Sequence, residues 1–306
     1  MNEALAALRD HSMDVKPSTW PSIEKRAEQD SRDARTPADT YAAIRLAITL
    51  IGDPHSFFLT PSQARSSTGS GATTFTAPSG VLIDHRYALF EVPAFEGNAQ
   101  AIAGYVTGGI RELRRLDATA PCGWIVDLRG NGGGNMWPML TVLLPLLKGS
   151  PVGYVVTNTG HRTAWTIHDG YALNGGNQLV PQHNAYRLKE GTPAVAVLQD
   201  QGTGSSGEAV LVAFRGQHNV KTFGLPSAGV PSANTLVTLS DGAQLGITEG
   251  RDADRTGHIY PNLTPIQPDV IAQPTGRRQP PGQPYRPSAA PAVTSWLANQ
   301  PACARA

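Results

Sequence analysis

Gly202-Thr203-Gly204-Ser205-Ser206-Gly207-Glu208 joins two apolar runs of different character. Before it, Val195-Ala196-Val197-Leu198 is β-branched and apolar, as a buried strand requires, while Ala209-Val210-Leu211-Val212-Ala213-Phe214 after it suits the first turns of a helix. A strand that passes through small residues into a helix is the building unit of an α/β fold. The junction puts a serine at a helix N-terminus, where unpaired backbone N–H groups and the helix dipole favour developing negative charge. Acyl-transfer chemistry has to stabilise such a charge. Ser, Thr and Gly at a helix start also serve as an ordinary N-cap and turn, so the chemical reading depends on the rest of the chain.

Two further segments support it. Gly52-Asp53-Pro54-His55-Ser56 follows an apolar helix-like run from Tyr41 to Ile51 and presents one histidine just after a turn-forming Asp-Pro. A loop histidine there suits a general base, although a lone histidine is more often a surface or capping group and the chain holds eight. Trp124-Ile125-Val126-Asp127-Leu128-Arg129-Gly130-Asn131-Gly132-Gly133-Gly134-Asn135 reads as a buried strand running into a glycine-rich turn, whose backbone can approach a ligand and aim N–H groups at it. The Lys-Ser/Thr ending of a phosphate-binding loop is missing and no Gly-x-Gly-x-x-Gly spacing fits, so an oxyanion is preferred to a nucleotide.

In order, these segments resemble the tail-specific and C-terminal processing serine peptidases, and within them the tricorn-like branch. The series continues through Thr222-Phe223-Gly224 and Leu239-Ser240-Asp241-Gly242-Ala243-Gln244-Leu245 to Pro265-Ile266-Gln267-Pro268-Asp269-Val270, spanning roughly residues 40–272. The resemblance implies an α/β, ClpP/crotonase-like peptidase core and makes Ser205 the nucleophile, with Ser206 a neighbour whose side chain points elsewhere. The lysine base of the processing branch would fall at Val230 and is absent; Lys221, in a strand-like segment, reads as a solvated side chain. The base therefore falls to His55, whose neutral imidazole, with an ordinary pKa of about 6.5, can accept the serine proton.

A third member should orient the histidine. Where the tricorn-like branch has its acid, this chain has Tyr260-Pro261-Asn262-Leu263, and Glu208, Asp241, Glu249 and Asp254 remain as carboxylates. The expected site is Ser205 and His55 with Glu208 or a C-terminal carboxylate in support, and Gly132, Gly133 and Ser206 as backbone oxyanion donors. Glu208 has a second expected role, bonding backbone N–H groups at the helix start. Asp53 reads as a turn former, and Asp127 as a strand-end partner of Arg129.

Composition fits a folded hydrolase. The 306 residues, 40% hydrophobic and 16% charged, can bury a substantial core. A net charge of +1 offers no electrostatic case for nucleic acid or an anionic membrane. No apolar stretch reaches the ~18 residues a membrane span needs. Cys122 and Cys303 form neither a disulfide framework nor a metal-binding spacing, so no metal or other cofactor is expected, and their mutual pairing is left open. The first residues lack the pattern of a signal peptide, which fits either a cytoplasmic protein or an exported one whose leader has been removed.

The expected organisation is a small N-terminal helical cap (1–60), a linker rich in Ser, Thr, Gly and Ala (61–80), an α/β core with helices packed on a mixed sheet (81–272) and a Pro-rich tail, extended or partly disordered, with one short helix near Val293–Leu297 (273–306). Many processing peptidases carry a PDZ domain in the linker region, and residues 61–80 are too few for one. The expected substrate is a peptide or small peptide-like molecule, with the oligomeric state open. Resemblance to nisin-resistance peptidases implies a hydrolase dedicated to one small peptide. Resemblance to the modules of interphotoreceptor retinoid-binding protein implies the rival reading, a weak or inactive module binding an apolar ligand or peptide.

Overall fold

The computed structural model describes residues 1–68, 75–272 and 291–305. In chain order its helices are α1 (Asn2–His11), α2 (Trp20–Asp30), α3 (Tyr41–Ile51), α4 (Pro61–Thr68), α5 (Ala99–Asp117), α6 (Met136–Leu143), α7 (Ser206–Phe214), α8 (Pro291–Ala298) and α9 (Pro301–Ala304). The first strands are β1 (Phe57–Leu59), β2 (Ser79–Ile83), β3 (Tyr87–Glu91), β4 (Gly123–Asp127), β5 (Gly153–Thr157), β6 (Arg162–His168) and β7 (Tyr171–Asn174). They are followed by β8 (Asn177–Gln178), β9 (Ala194–Gln199), β10 (Val220–Gly224), β11 (Ser232–Thr238), β12 (Gln244–Asp254) and β13 (Val270–Ile271). The chain divides into two units, Met1–Ala72 with Val156–His161 and Ser232–Arg251, and Thr73–Val155 with Arg162–Pro231 and Asp252–Ala306.

The larger unit is built on a six-stranded sheet of order β13-β10-β9-β4-β3-β2. Its strands pair in parallel from β13 to β3, and β2 is added antiparallel through a hairpin. Every residue of β4 and β9 is buried, as expected of central parallel strands covered on both faces. Alternation then sorts the side chains. Trp124, Val126, Val195 and Val197 face a core shared with residues of α5, α6 and α7. Ile125, Ala196 and Leu198 face a second core shared with Val293 and Leu297 of α8.

The short helix expected near Val293–Leu297 of the tail is present as α8, and where it is described the C-terminal segment is a layer of the fold and not an extended tail. Val293 and Leu297, four apart on one helical face, are fully buried, and Cys303 is disulfide-bonded to Cys122 just before β4. Residues 273–290 of that expected tail lie outside the described residues, as do 69–74 of the expected linker. The start of that linker is helical, since α4 occupies Pro61–Thr68.

In the smaller unit, α1, α2 and α3 bury Leu5, Leu8, Trp20, Ile23, Ile44 and Ile48 against Phe58 of β1 and Leu245 and Ile247 of β12. β12 pairs antiparallel with β1 and with β11. The helices of residues 1–60 are therefore completed here by a hairpin from far downstream. Tyr41 donates to Asp241 Oδ2 (2.6 Å), and Ser240 donates through its amide (3.0 Å) and hydroxyl (2.8 Å) to Glu3 Oε2.

The sheet topology positions the serine. β4 and β9 are parallel neighbours, with Val126 opposite Val197 and Asp127 opposite Leu198, so their C-terminal ends release the glycine-rich turn and the Ser205 turn at the same edge. Ligand sites of open α/β sheets form at that edge.

Candidate active site

Ser205 stands at the junction of β9 and α7 with φ 50° and ψ −122°. A non-glycine residue there is strained, and strain of this kind persists only where the surroundings over-determine it. The determinants are visible. Thr203 Oγ1 donates to Leu128 O (2.8 Å), Gly204 N to Asn131 O (3.0 Å) and Gly130 N to Asp200 Oδ1 (2.8 Å), which stitches the two turns together. A Cβ on Gly207 would lie 2.2 Å from Asn131 O, and one on Gly133 would lie 2.8 Å from Ser205 Cβ. Glycine is required at both places because backbone occupies the space a side chain would need.

Glu208 closes the turn from below. Its carboxylate accepts four hydrogen bonds, from Ser205 N (3.0 Å) and Val230 N (2.9 Å) at Oε2, and from Ser227 Oγ (2.5 Å) and Gly229 N (2.9 Å) at Oε1. Burial pushes its carboxyl up, and these donors oppose the rise. With both oxygens engaged, Glu208 fills the second of its expected roles, holding the serine amide and the 227–230 loop in one arrangement. Behind it lies Asp252, fully buried, whose carboxyl is raised well above the usual range by burial and then by the charge of Glu208. Asp252 Oδ2 has no hydrogen-bond partner among the described residues.

The expected oxyanion donors fare differently. Gly133 N donates to Asn131 Oδ1 (3.1 Å), so its N–H is engaged, and this glycine contributes close approach instead. The Gly132 amide makes no hydrogen bond among the described residues, and a Cβ there would meet nothing within 4 Å. Ser206 turns its hydroxyl to Gly134 O (2.6 Å). Val230, at the position where the resemblance would put a lysine, brings an apolar side chain beside Gly204. Lys221 sits within β10 opposite Ala196.

His55 belongs to the smaller unit and is held by a different kind of scaffold. α3 stops at Gly52 (φ 83°), whose left-handed conformation turns the chain into Asp53-Pro54-His55-Ser56 and then β1. Asp53 Oδ1 accepts His55 N (3.0 Å) and Oδ2 accepts Ser56 Oγ (2.5 Å), while Ser56 Oγ accepts Thr248 N (3.0 Å). Asp53 is indeed the turn former. Asn234 Nδ2 donates to His55 O (2.9 Å), and His55 Nδ1 lies 2.8 Å from Ser232 Oγ. Burial lowers the pKa of His55, and the Asp53 charge opposes this.

Of the carboxylates expected at the third position, Asp241 and Asp254 are bonded to other groups. Asp241 accepts from Tyr41 and from Ala243 N (2.9 Å). Asp254 accepts from Thr256 N (2.8 Å) and Oγ1 (2.6 Å), His258 N (3.2 Å) and Tyr260 OH (2.9 Å). Glu249 is the extra residue of a bulge where Ala233 pairs with Gly250 and Asn234 with Thr248. The expected partner of Asp127 is present, since Arg129 Nη2 lies 2.6 Å from Asp127 Oδ2. Ser232, 177 residues from His55, carries no motif in the sequence and is found only through the β11–β12 pairing. Among the described residues no group of three or more His, Cys, Asp and Glu could hold a metal ion, and no helix is long and apolar enough to cross a membrane.

Comparison with known proteins agrees with this fold. The sequence profile of Peptidase family S41 matches residues 86–272. Nisin-resistance protein of Lactococcus lactis subsp. lactis is 33% identical over 251 residues, covering 82% of this chain and 76% of that protein. A carboxyl-terminal-processing protease of Synechocystis is 25% identical over 162 residues, which cover 53% of this chain and 34% of its own length. Among solved structures, a lipoprotein from Streptococcus agalactiae superposes with a TM-score of 0.75 at 23% identity, covering 88% of this chain and 90% of that one. The photosystem II D1 C-terminal processing protease does so with a TM-score of 0.64 at 16% identity, covering 89% and 92%.

Proposed function

Because the chain belongs to peptidase family S41, a family of serine peptidases, we propose that it hydrolyses a peptide or ester bond through an acyl-enzyme on Ser205, with His55 as the base. The observation that carries this reading is the backbone of Ser205, a serine kept at positive φ at the head of a buried helix by glycine contacts and by Glu208. Strain maintained by that many contacts marks a residue whose side chain must be presented in one direction.

His55 takes the proton of Ser205 Oγ as the oxygen attacks the carbonyl carbon. The resulting oxyanion is met by the backbone N–H groups of Gly132 and Ser206. As the tetrahedral intermediate collapses, the bond to the leaving group breaks and His55 returns the proton to it, after which water repeats the sequence on the acyl-serine. A neutral imidazole is needed at the start, and burial of His55 favours that form.

Short peptides are the substrate class we assign, on the similarity to nisin-resistance protein over 82% of the chain. The test is a double-mutant cycle read with a peptide and ester library. Ser205→Ala and His55→Ala should each remove roughly three or more orders of magnitude of kcat/KM, and the double variant should be little worse than either. Near-additive losses would contradict a coupled pair. Full retention in both variants would overturn the roles of Ser205 and His55, whereas no hydrolysis by the native protein of any member of the library, with a ligand still bound, would favour the rival reading, a binding module for an apolar ligand or peptide on the same fold.

A further inference from the structure

We propose that Ser232 is the positioning residue of His55, its hydroxyl oxygen accepting the Nδ1–H and thereby setting Nε2 as the ring's lone-pair nitrogen. The proposal rests on the reading of His55 as the base and replaces the carboxylate usual at this position with a neutral hydroxyl.

Three observations support it. The separation of Nδ1 and Ser232 Oγ is 2.8 Å, a good hydrogen bond, and Ser232 is only 6% exposed. Ser232 also acts together with Asn234. In a strand, residues two apart point to the same face, and the bulge beside them takes its extra residue, Glu249, from β12, so the alternation of β11 is unbroken. Ser232 reaches the imidazole ring and Asn234 the backbone carbonyl of the same histidine. Asn234 is braced in turn, its Oδ1 accepting from Thr248 Oγ1 (3.0 Å).

The nearby carboxylate is differently engaged. Asp53 holds the His55 amide with one oxygen and the Ser56 hydroxyl with the other, so it fixes the turn on which the histidine sits. The charged residues of the paired strand next to Ser232 are Glu249, at the bulge, and Arg251, directly opposite Ser232. A hydroxyl acceptor orients the ring without adding a charge that would favour imidazolium. The base is therefore selected for its tautomer and kept weakly basic, where an aspartate would raise its pKa.

The tautomer can be read directly, without a substrate, from the ring ¹⁵N chemical shifts of His55, assigned by their loss in His55→Ala. In the native protein Nδ1 should carry the proton at neutral pH. Ser232→Ala should give a mixture of tautomers and lower kcat about three- to tenfold, the effect of one neutral hydrogen bond, with KM little changed. Ser232→Thr keeps the acceptor and should restore both. Ser232→Asp should move the acid limb of the kcat/KM profile to higher pH, because the carboxylate favours the charged ring. A native Nε2–H tautomer, or a tautomer and pH profile unmoved in all three variants, would overturn the role of Ser232. Should His55→Ala leave the activity intact, the reading of His55 as base fails instead, and the ¹⁵N shifts still decide whether Ser232 holds the ring.

Discussion

The turn that presents Ser205 and the turn that presents His55 are built by opposite means. Around Ser205 the geometry is made by backbone, with glycines at 133 and 207 allowing chain to lie against chain and one carboxylate gathering three amides. Around His55 it is made by side chains, with Asp53, Ser56, Asn234 and Ser232 each contributing a hydrogen bond. A backbone-built turn tolerates no added atom. A side-chain-built turn tolerates substitution and loses function gradually, since a neutral hydrogen bond contributes only about 1 kcal/mol.

The largest expected effect breaks the backbone side. Gly207→Ala would drive a methyl to 2.2 Å from Asn131 O, and the displacement needed to relieve it should cost roughly a hundredfold in kcat/KM. Gly132→Ala is the sharpening control. Its new methyl meets nothing within 4 Å and the N–H is retained, so thermal stability should be unchanged. Equal damage from both substitutions would show that contact with Asn131 does not define the turn.

Next comes Glu208→Gln, which keeps the shape and replaces an acceptor of four hydrogen bonds with a group that must itself donate. Loss of charge-assisted bonds in a buried site should destabilise the fold by about 2 kcal/mol and slow the enzyme about tenfold or more, measured by denaturant unfolding and by kcat. Unchanged stability would mean that the 227–230 loop is held by other contacts.

The contrast between the two turns also explains what was legible in the sequence. Val195 to Leu198 and Trp124 to Asp127 read as central strands because burial on both faces forces unbroken apolar runs, and the glycines between strand and helix marked the Ser205 turn. β12 did not stand out, since it alternates Leu245, Ile247 and polar residues through Gly246 and Gly250, and β1 is only three residues long. The engagement of Gly133 N by Asn131 Oδ1 is a matter of one side chain's orientation within the turn, and the meeting of Ser232 with His55 depends on pairing between distant segments. Small neutral residues there carry no local signature. The C-terminal helix was visible as a pattern, but its burial is fixed by the sheet face and by the bond from Cys303 to Cys122.

A smaller effect concerns the buried carboxyl behind Glu208. Asp252 has its carboxyl raised by burial, so the native state holds a proton that the unfolded chain, with a pKa of about 3.9, has lost. Its contribution to stability is fully present below that value and is lost as pH rises through the raised native pKa. Asp252→Asn removes the dependence. The variant should be the more stable at alkaline pH, with the difference shrinking toward pH 4. A difference in unfolding free energy that does not change with pH would contradict the assignment.

Activation of Ser205 as a nucleophile by His55 is tested without a known substrate by labelling with a fluorophosphonate, followed by intact mass and peptide mapping. The expected result is a single adduct on Ser205, formed at a rate that rises with pH through an inflection below about 6.5, as burial of His55 requires, and that falls at least about a hundredfold in His55→Ala. No adduct under conditions that label a control hydrolase, or an adduct formed equally fast without His55, would contradict it.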